Sequence, residues 1–464
     1  MIKSITALFL ALTLIGQAAS PKPNIILIFA DDLGYGDVGC YGANVKTPNI
    51  DKLAASGFRS TDCLVGAPVC GPSRAALMTG RYPMRAGHPI SRHPTEKYSK
   101  YGIAPEEVTI AEQLKSAGYY TQMFGKWHLG FHVQGSHPLD AGFDDYFGLH
   151  SNYHKEKNRV DERTIYHNRE VVTEDIPFTS VTKLYTDKAV EFIKSDQEKP
   201  FFLYFAHHIP HTPIEPSAPF KGAAGIKGKG AVYSDFVLEL DHSVGRVVNA
   251  VNEAGIAENT LIIFFADNGP AKDGSAKPLS GGKYVTMEGG QRVPSIFSWP
   301  GKIPAGNVSD AMITSMDLFP LFSNLAGISL PKDVTLDGKN ILDLLTGKTN
   351  ESPHKYFYYY NGLNLQAVRN EQWKIHFPRT VDDQPYWAKK AGGNKKKLYT
   401  TLKQPMLFNL DTDASEKKNV ISQHPEIADE LTKEAERARQ EIGDIDIKGS
   451  DQRPHGLVTP NEKG

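Results

Sequence analysis

Three short apolar runs constrain what this chain can fold into more than any other feature. NIILIFADD ends at Asp32, FFLYFAHHIPH ends at His211, and NTLIIFFADNG ends at Gly269. Each is built from aromatic and β-branched residues without polar alternation, the pattern of a strand covered on both faces in a parallel sheet. Parallel neighbours need crossover connections, and helical patterns lie between the runs. TPNIDKLAASG offers Thr47 as a cap, Pro48 at the first helical position and Gly57 as the stop. TIAEQLKSAG repeats that plan over 109–118 and leads into YYTQMFGKWHLG, a further strand followed by a polar loop. YSDFVLELDHSVGRVVNAVNEAG and SMDLFPLFSNLAG add two more helices. The alternation, from Asn24 to about Leu345, predicts an α/β domain, doubly wound or related, with a mostly parallel sheet sandwiched by helices.

All three runs break into polar residues at their ends. Open α/β sheets bind ligands beyond the carboxyl ends of their strands, so Asp31, Asp32, His207, His208, His211, Asp267 and Asn268 are expected to face one crevice. One of His207 and His208 is expected only to pack beneath it.

Composition narrows the class. The 464 residues carry 52 basic and 53 acidic side chains for a net charge of −1, so no global field draws the protein to nucleic acid. The opening MIKSITALFLALTLIGQAAS, residues 1–20, has a basic start, an apolar stretch and small residues at its end, which reads as a secretory signal. No later segment approaches the roughly 20 apolar residues of a spanning helix, so the chain is expected to be exported, periplasmic or secreted, with no membrane attachment after cleavage. Cys40, Cys63 and Cys70 are the cysteines; Cys40 and Cys63 read equally as a bridge or as two small buried side chains. The character changes after SPHKYFYYYNG. AVRNEQWKIHF and PMLFNLDTD read as antiparallel strands around a basic loop, KKAGGNKKK, and PEIADELTKEAERARQEIG as a helix with a polar face. The expected organisation is a signal over 1–20, a catalytic domain over 21–351 and a smaller α+β subdomain over 352–464.

Cys70 stands directly ahead of Gly-Pro-Ser-Arg in CGPSRAALMTGR, residues 70–81. The form C-x-P-S-R, with TGR closing at Arg81, resembles the signature of type I sulfatases. PNIILIFADDLGYGDVGCYG, GKWHLG, PHTP, FADNG and GGKYVTMEGGQRVP follow in that family's order, and LFNLDTDASEKKNV is similar to its C-terminal hairpin. The resemblance runs from Asn24 to about Val420 and is closest to the arylsulfatase A and N-acetylgalactosamine-6-sulfatase branch of the alkaline phosphatase superfamily. It implies an alkaline-phosphatase-like fold and hydrolysis of sulfate esters. It further implies that Cys70 is oxidised by a formylglycine-generating maturation enzyme, the hydrated aldehyde then serving as nucleophile.

Asp31, Asp32, Asp267 and Asn268 supply only oxygen ligands, which suits a hard cation such as Ca²⁺ and poorly suits zinc. Either pair alone would read as a turn or a cap; two pairs ending two parallel strands read as a metal site. One Ca²⁺ per chain is expected there, with an oxygen of residue 70 as a further ligand. By the resemblance, Arg74, Lys126 and Lys283 are the cations around the aldehyde and the sulfate. His211 with Lys283 would assist departure of the alcohol, Asp267 would take the proton of the attacking hydroxyl, and His128 would take that of the remaining one. The helix starting at Cys70 adds an N-terminus favourable to an anion.

Crevice-rim segments 88–102 and 150–170 and the region around Trp387 are rich in His, Arg, Lys and Tyr. They point to a sulfated saccharide, such as a glycosaminoglycan fragment or an algal galactan of the carrageenan kind, over a small aryl sulfate. The low cysteine count and plain signal suggest a bacterial source. The alternatives are a phosphonate monoester or phosphodiester hydrolase of the same superfamily, and a glycan-binding protein without activity. The sequence leaves the oligomeric state open.

Overall fold

The computed structural model describes residues 22–91, 101–131, 135–155, 160–380 and 401–454. The signal segment, the KKAGGNKKK loop and Trp387 lie outside the described residues, as does the middle of each of the two rim segments.

The main sheet is built from β1 (Asn24–Ala30), β2 (Phe58–Ser60), β4 (Tyr120–Gly125), β5 (Asp145–Gly148), β6 (Ile165–His167), β7 (Glu170–Thr173), β8 (Phe201–Ala206), β9 (Thr260–Ala266), β10 (Ser295–Ser298) and β11 (Asn307–Ser309), with β3 (Cys63–Leu64) pairing separately with β12 (Ile313–Thr314). The strand order is β11-β2-β10-β9-β1-β8-β4-β5-β6-β7. The three apolar runs are therefore direct neighbours: β1 lies between β9 and β8, parallel to both, with Ile25 opposite Leu261 and Phe202. Every residue of these three strands is buried, as their lack of alternation requires. β4 and β5 continue the parallel centre. Both margins depart from it: β10 runs antiparallel to β9, and β6 and β7 form an antiparallel hairpin. These marginal strands are only three or four residues long, too short to show a period in the sequence.

The helices α1 (Pro48–Ala55), α2 (Cys70–Thr79), α3 (Ile110–Ser116), α4 (Phe178–Lys194), α5 (Ala231–Glu253), α6 (Glu288–Gln291) and α7 (Leu318–Ala326) flank the sheet, α1 and α4 packing on α5, and α2 and α3 on α7. Thr109 caps α3 as expected, accepting from the Glu112 backbone N–H while Glu112 accepts from that of Thr109. Thr47 does not cap α1. Its hydroxyl accepts from the Gly39 N–H and donates to Asp51, so it ties the preceding loop to the helix instead. Cys40, Cys63 and Cys70 are all free, which closes the bridge alternative.

The C-terminal part is a four-stranded antiparallel sheet of β13 (Phe357–Asn361), β14 (Asn364–Arg369), β15 (Trp373–His376) and β16 (Met406–Asn409), covered by the Pro425–Glu441 helix. AVRNEQWKIHF is two strands and not one. The side chain of Asn370 accepts the N–H groups of Gln372 and Trp373 and turns the chain between them. This sheet shares an apolar core with the main body, where Leu64, Tyr82 and Met316 meet Tyr359, Leu365 and Leu431. Beside that core runs a buried ionic seam: Arg369 bridges Asp62 and Glu288, Lys374 bridges Glu288 and Glu416, and Arg292 faces Asp62 and Glu288. Among the described residues no helix is long and apolar enough to cross a membrane.

Candidate active site

The register of the central strands assembles the site. Ala30 pairs with Ala266, so Asp31 and Asp267 leave the sheet side by side, and the Asp267 N–H donates to the Ala30 carbonyl at 3.0 Å. On the other side of β1, Gly125 pairs with Ala206, and the Lys126 N–H donates to the Ala206 carbonyl. The segment after β8 turns back so that the Ile209 carbonyl accepts the Asp31 N–H. Three strand ends thus deliver their first polar residues to one place, and the turn after β8 brings His211 beside them. Asp32 and His128 have φ of 64° and 65°, a region costly for residues with a Cβ. Such strain costs about 1–3 kcal/mol per residue and is held only where surrounding structure fixes it.

α2 points its N-terminus into the same place, with Cys70 as its first residue. Arg74 is one turn further and lies on the same helix face. Its guanidinium donates to Asp267 Oδ2 from Nε at 3.1 Å and from Nη2 at 2.9 Å, and to the Lys126 carbonyl at 3.0 Å. Lys126 Nζ donates to Asp31 Oδ2 at 2.6 Å, and Lys283 Nζ reaches both Asp32 oxygens at 2.6 and 2.8 Å. All of these side chains are buried. Three carboxylates formally balance three cations.

Burial alone would raise the Asp31 and Asp32 carboxyls. Lys126, His211 and Arg74 outweigh it at Asp31, as do Lys283 and His211 at Asp32, and both are held below their ordinary value. Asp267 goes the other way, because burial and the neighbouring Asp31 outweigh Arg74. Burial also pushes the Cys70 thiol up, against Lys126 and Lys283, so the unmodified side chain is a protonated thiol.

The acidic cluster fits a metal ion. Asp31, Cys70 and Asp267 offer ligand atoms within 4.8 Å of one another, as do Asp31, Asp32 and His211. Asp31 Oδ1 and Asn268 Oδ1 are buried with no hydrogen-bond partner, although buried polar atoms are paired almost everywhere in proteins. The Asn268 amide donates to Asp32 Oδ1 at 2.8 Å, which fixes which atom of that side chain is left over. Two orphaned oxygens in an oxygen-rich cluster are what a hard cation takes as ligands.

His211 Nδ1 lies 2.6 Å from the Thr212 carbonyl, which can only accept, so Nδ1 carries hydrogen. Nε2 therefore faces the cluster as the proton-exchanging atom, 3.7 Å from Asp32. Burial and Lys283 lower its basicity, with Asp32 opposing. His128 follows Lys126 by two residues; its N–H donates to the His150 carbonyl, and its own carbonyl passes the start of α2 at Gly71. His207 packs beneath the crevice, and burial together with the charges of His207, His211 and Lys126 holds His208 well below its ordinary value. His207 contacts Ser243 of α5, and His208 sits edge-on against Phe178 and Tyr185.

Each residue singled out for the metal and for catalysis thus lies in this cluster or at its edge. Sequence reading missed Tyr204, whose hydroxyl contacts Arg74, and Tyr284, packed against Cys70. His88, which opens the 88–102 segment, is buried beside Gly71 and not exposed at the rim. Tyr204 carries no local signal, since only the fold brings it there. Tyr284 carried one, in standing next to Lys283 inside GGKYVTMEGG.

Comparison with known proteins gives a consistent picture. The sulfatase family model matches residues 23–328, and that for the C-terminal region of aryl-sulfatase matches residues 352–455. N-acetylgalactosamine-6-sulfatase of Canis lupus familiaris is 39% identical over 390 residues, covering 78% of this chain and 73% of that protein. Human arylsulfatase A is 36% identical over 441 residues, covering 88% and 85%. The crystal structure of Ps i-CgsB in complex with k-i-k-neocarrahexaose superimposes with a TM-score of 0.80 at 33% identity, covering 95% of each chain.

Proposed function

This chain belongs to the sulfatase family and is a sulfuric ester hydrolase, and from that premise we propose that it removes sulfate from a sulfated glycan with a formylglycine made from Cys70 and one Ca²⁺. The observation that carries the reading is the convergence of Cys70, at the start of α2, with three carboxylates and three buried cations. A protonated buried thiol is a poor nucleophile, which favours conversion of Cys70 by a maturation enzyme over direct use of sulfur. The hydrated formyl group would supply one hydroxyl to attack sulfur and a second whose ionisation expels the sulfate. Asp31, Asp32, Asp267 and Asn268 would hold the calcium ion with an oxygen of residue 70, and the ion would supply positive charge toward the sulfate oxygens.

The chain's own residues do the rest. Arg74 and Lys126 orient Asp267 and Asp31 and keep positive charge close to residue 70. Asp267, whose carboxylate lies close to Cys70, accepts the proton of the attacking hydroxyl. His211 Nε2 and Lys283 face the leaving alcohol. His128 takes the second hydroxyl proton.

The glycan assignment is supported by the names of the similar proteins, one acting on an N-acetylgalactosamine sulfate and one crystallised with a carrageenan hexaose. We assign residues 1–20 as an export signal, 21–351 as the catalytic unit and 352–464 as its subdomain. The test has two parts. Peptide mass spectrometry across residue 70 of active protein should show an aldehyde, and a panel of defined sulfated oligosaccharides should yield free sulfate. Full activity with only unmodified thiol at residue 70 would overturn the nucleophile; inertness of aldehyde-bearing protein on the whole panel would overturn the substrate class.

A further inference from the structure

Two loops leave the site on the side where His211 and Lys283 stand. Residues 212–230 run from His211 into α5, and residues 269–282 join Asn268 to Lys283. Both gather at the first turn of α5. The Asp235 carboxylate accepts from the N–H groups of Gly222 and Ala224 at 2.7 and 2.9 Å. The Tyr233 hydroxyl donates to Asp37, whose other carboxylate oxygen accepts from the Ser275 N–H at 2.8 Å. α5 runs down toward the start of β9, and its middle meets the end of β8, where Ser243 contacts His207. From Ser243 back to Asp235 the helix rises about 12 Å at 1.5 Å per residue, so its first turn stands beyond the strand ends, at the rim of the crevice.

These loops carry five exposed lysines, Lys221, Lys227 and Lys229 on the first and Lys272 and Lys277 on the second. Among the described residues none of the five has an ion-pair partner. Acids to neutralise them are scarce. Glu215 is paired with Lys155, Asp235 is taken by Gly222 and Ala224, and Asp273 is the one exposed acid in the two loops. The face is open: Gly228 and Gly230 flank Lys229 with φ of 81° and 89°, and a side chain at either would meet nothing within 4 Å. In a chain whose net charge is −1, a local excess of like charge of this kind is repulsive until an anion offsets it. At exposed sites such attraction is screened beyond about 8 Å at physiological salt, so it favours anions seated close to the lysines. The alcohol released in the reaction is the glycan itself, and it leaves toward His211 and Lys283, where both loops begin or end. We propose that Lys221, Lys227, Lys229, Lys272 and Lys277 form a specificity-determining rim that binds further sulfate groups of the glycan and so selects multiply sulfated chains, an inference that rests on the glycan reading above.

The experiment compares kcat/KM for a multiply sulfated oligosaccharide with kcat/KM for its singly sulfated counterpart of equal length, at low and at high ionic strength. Serine replaces the lysines of one loop at a time, as the triple variant Lys221→Ser, Lys227→Ser, Lys229→Ser and the double variant Lys272→Ser, Lys277→Ser. At low salt the ratio of multiply to singly sulfated substrate should fall at least about tenfold in the triple variant, the factor corresponding to about 1.4 kcal/mol, and should also fall in the double. High salt should bring the wild-type ratio down toward that of the variants. A triple variant with arginine at 221, 227 and 229 should keep the wild-type ratio. Melting temperature and turnover of a small aryl sulfate, which does not reach the loops, should stay at wild-type values throughout. A ratio unchanged in both serine variants, or one that falls equally with arginine, overturns the inference and leaves the glycan reading intact, as does a wild type that prefers the singly sulfated chain. If the wild type desulfates no saccharide, the glycan reading fails and the inference falls with it.

Discussion

Replacing Asp31 by Asn separates the two roles of this residue, holding Lys126 and holding a metal ion. The side chain is fully buried; Oδ2 accepts from Lys126 at 2.6 Å, and Oδ1 has no hydrogen-bond partner. In ion-free protein the substitution keeps the shape but leaves Lys126 without its anion, and breaking a buried pair in this way costs about 3–5 kcal/mol. Calcium adds a second term. Wild-type protein at a free concentration of about 100 times Kd gains about 2.7 kcal/mol, because only the folded state has the site. If losing one of three carboxylates weakens binding about a hundredfold, the gain at the same concentration drops to about 0.4 kcal/mol. Urea unfolding in chelator and then across a calcium titration reads both terms, with magnesium as the control for ionic strength. Asp31→Asn should lie below the wild type in chelator, and the gap should widen by about 2 kcal/mol on saturation with calcium. A calcium gain of equal size in both proteins would refute the assignment of Asp31 as a ligand, whatever happens in chelator.

Two further outcomes follow from the geometry. His211→Ala should slow sugar sulfates, whose alcohols leave poorly, by about 10²–10⁴-fold, and activated aryl sulfates far less, as steady-state kinetics on the two substrate types would show; equal slowing would argue against proton donation from Nε2. Glu288→Gln removes one of the three carboxylates that face Arg292, Arg369 and Lys374 in the seam, and should cost about 3–5 kcal/mol near neutral pH. Burial pushes the Glu288 carboxyl up, but Lys374, Arg369 and Arg292 outweigh it and hold it well below the ordinary 4.5. Its stabilisation is therefore complete above 4.5 and is lost as pH falls below it, so the stability difference between wild type and Glu288→Gln should shrink on acidification. A difference that stays constant with pH would show that the ionised form is not what stabilises.

The centre of the fold was legible because its physics is local. A strand buried on both faces must be apolar throughout, and Asp31, His207 and Asp267 mark where that requirement stops. Nothing comparable marks β6, β10 or β11, whose three or four residues pair at the margins in directions set by neighbours far away in sequence. The acid pairs and Cys70 could be singled out from residue chemistry and the resemblance, but their partners could not. That Lys283 holds Asp32 across 251 residues, or that Arg369 reaches Asp62 across 307, depends on packing between elements. Thr47 shows the limit at short range: its position suits a cap, yet its hydroxyl accepts from Gly39 and donates to Asp51 instead.

The charge count gives the site a direction. Asp31, Asp32 and Asp267 are balanced by Arg74, Lys126 and Lys283 before any ion or substrate arrives. A divalent cation bound by the orphaned oxygens of Asp31 and Asn268 would leave the cluster two units positive, and a sulfate monoester, carrying one negative charge, would neutralise half of that. The remaining positive charge meets an anion only as negative charge builds on the leaving oxygen in the transition state. Attraction that grows along the reaction lowers the barrier, whereas attraction already spent on the bound ester would not. The buried lysines would serve that end because their positions are fixed beforehand: the backbone of Lys126 is held by its bond to Ala206, and that of Lys283 by its bond to the Pro270 carbonyl. Charges held in this way do not have to reorganise when the sulfur–oxygen bond breaks, and in a dry site each acts far more strongly than it could in water.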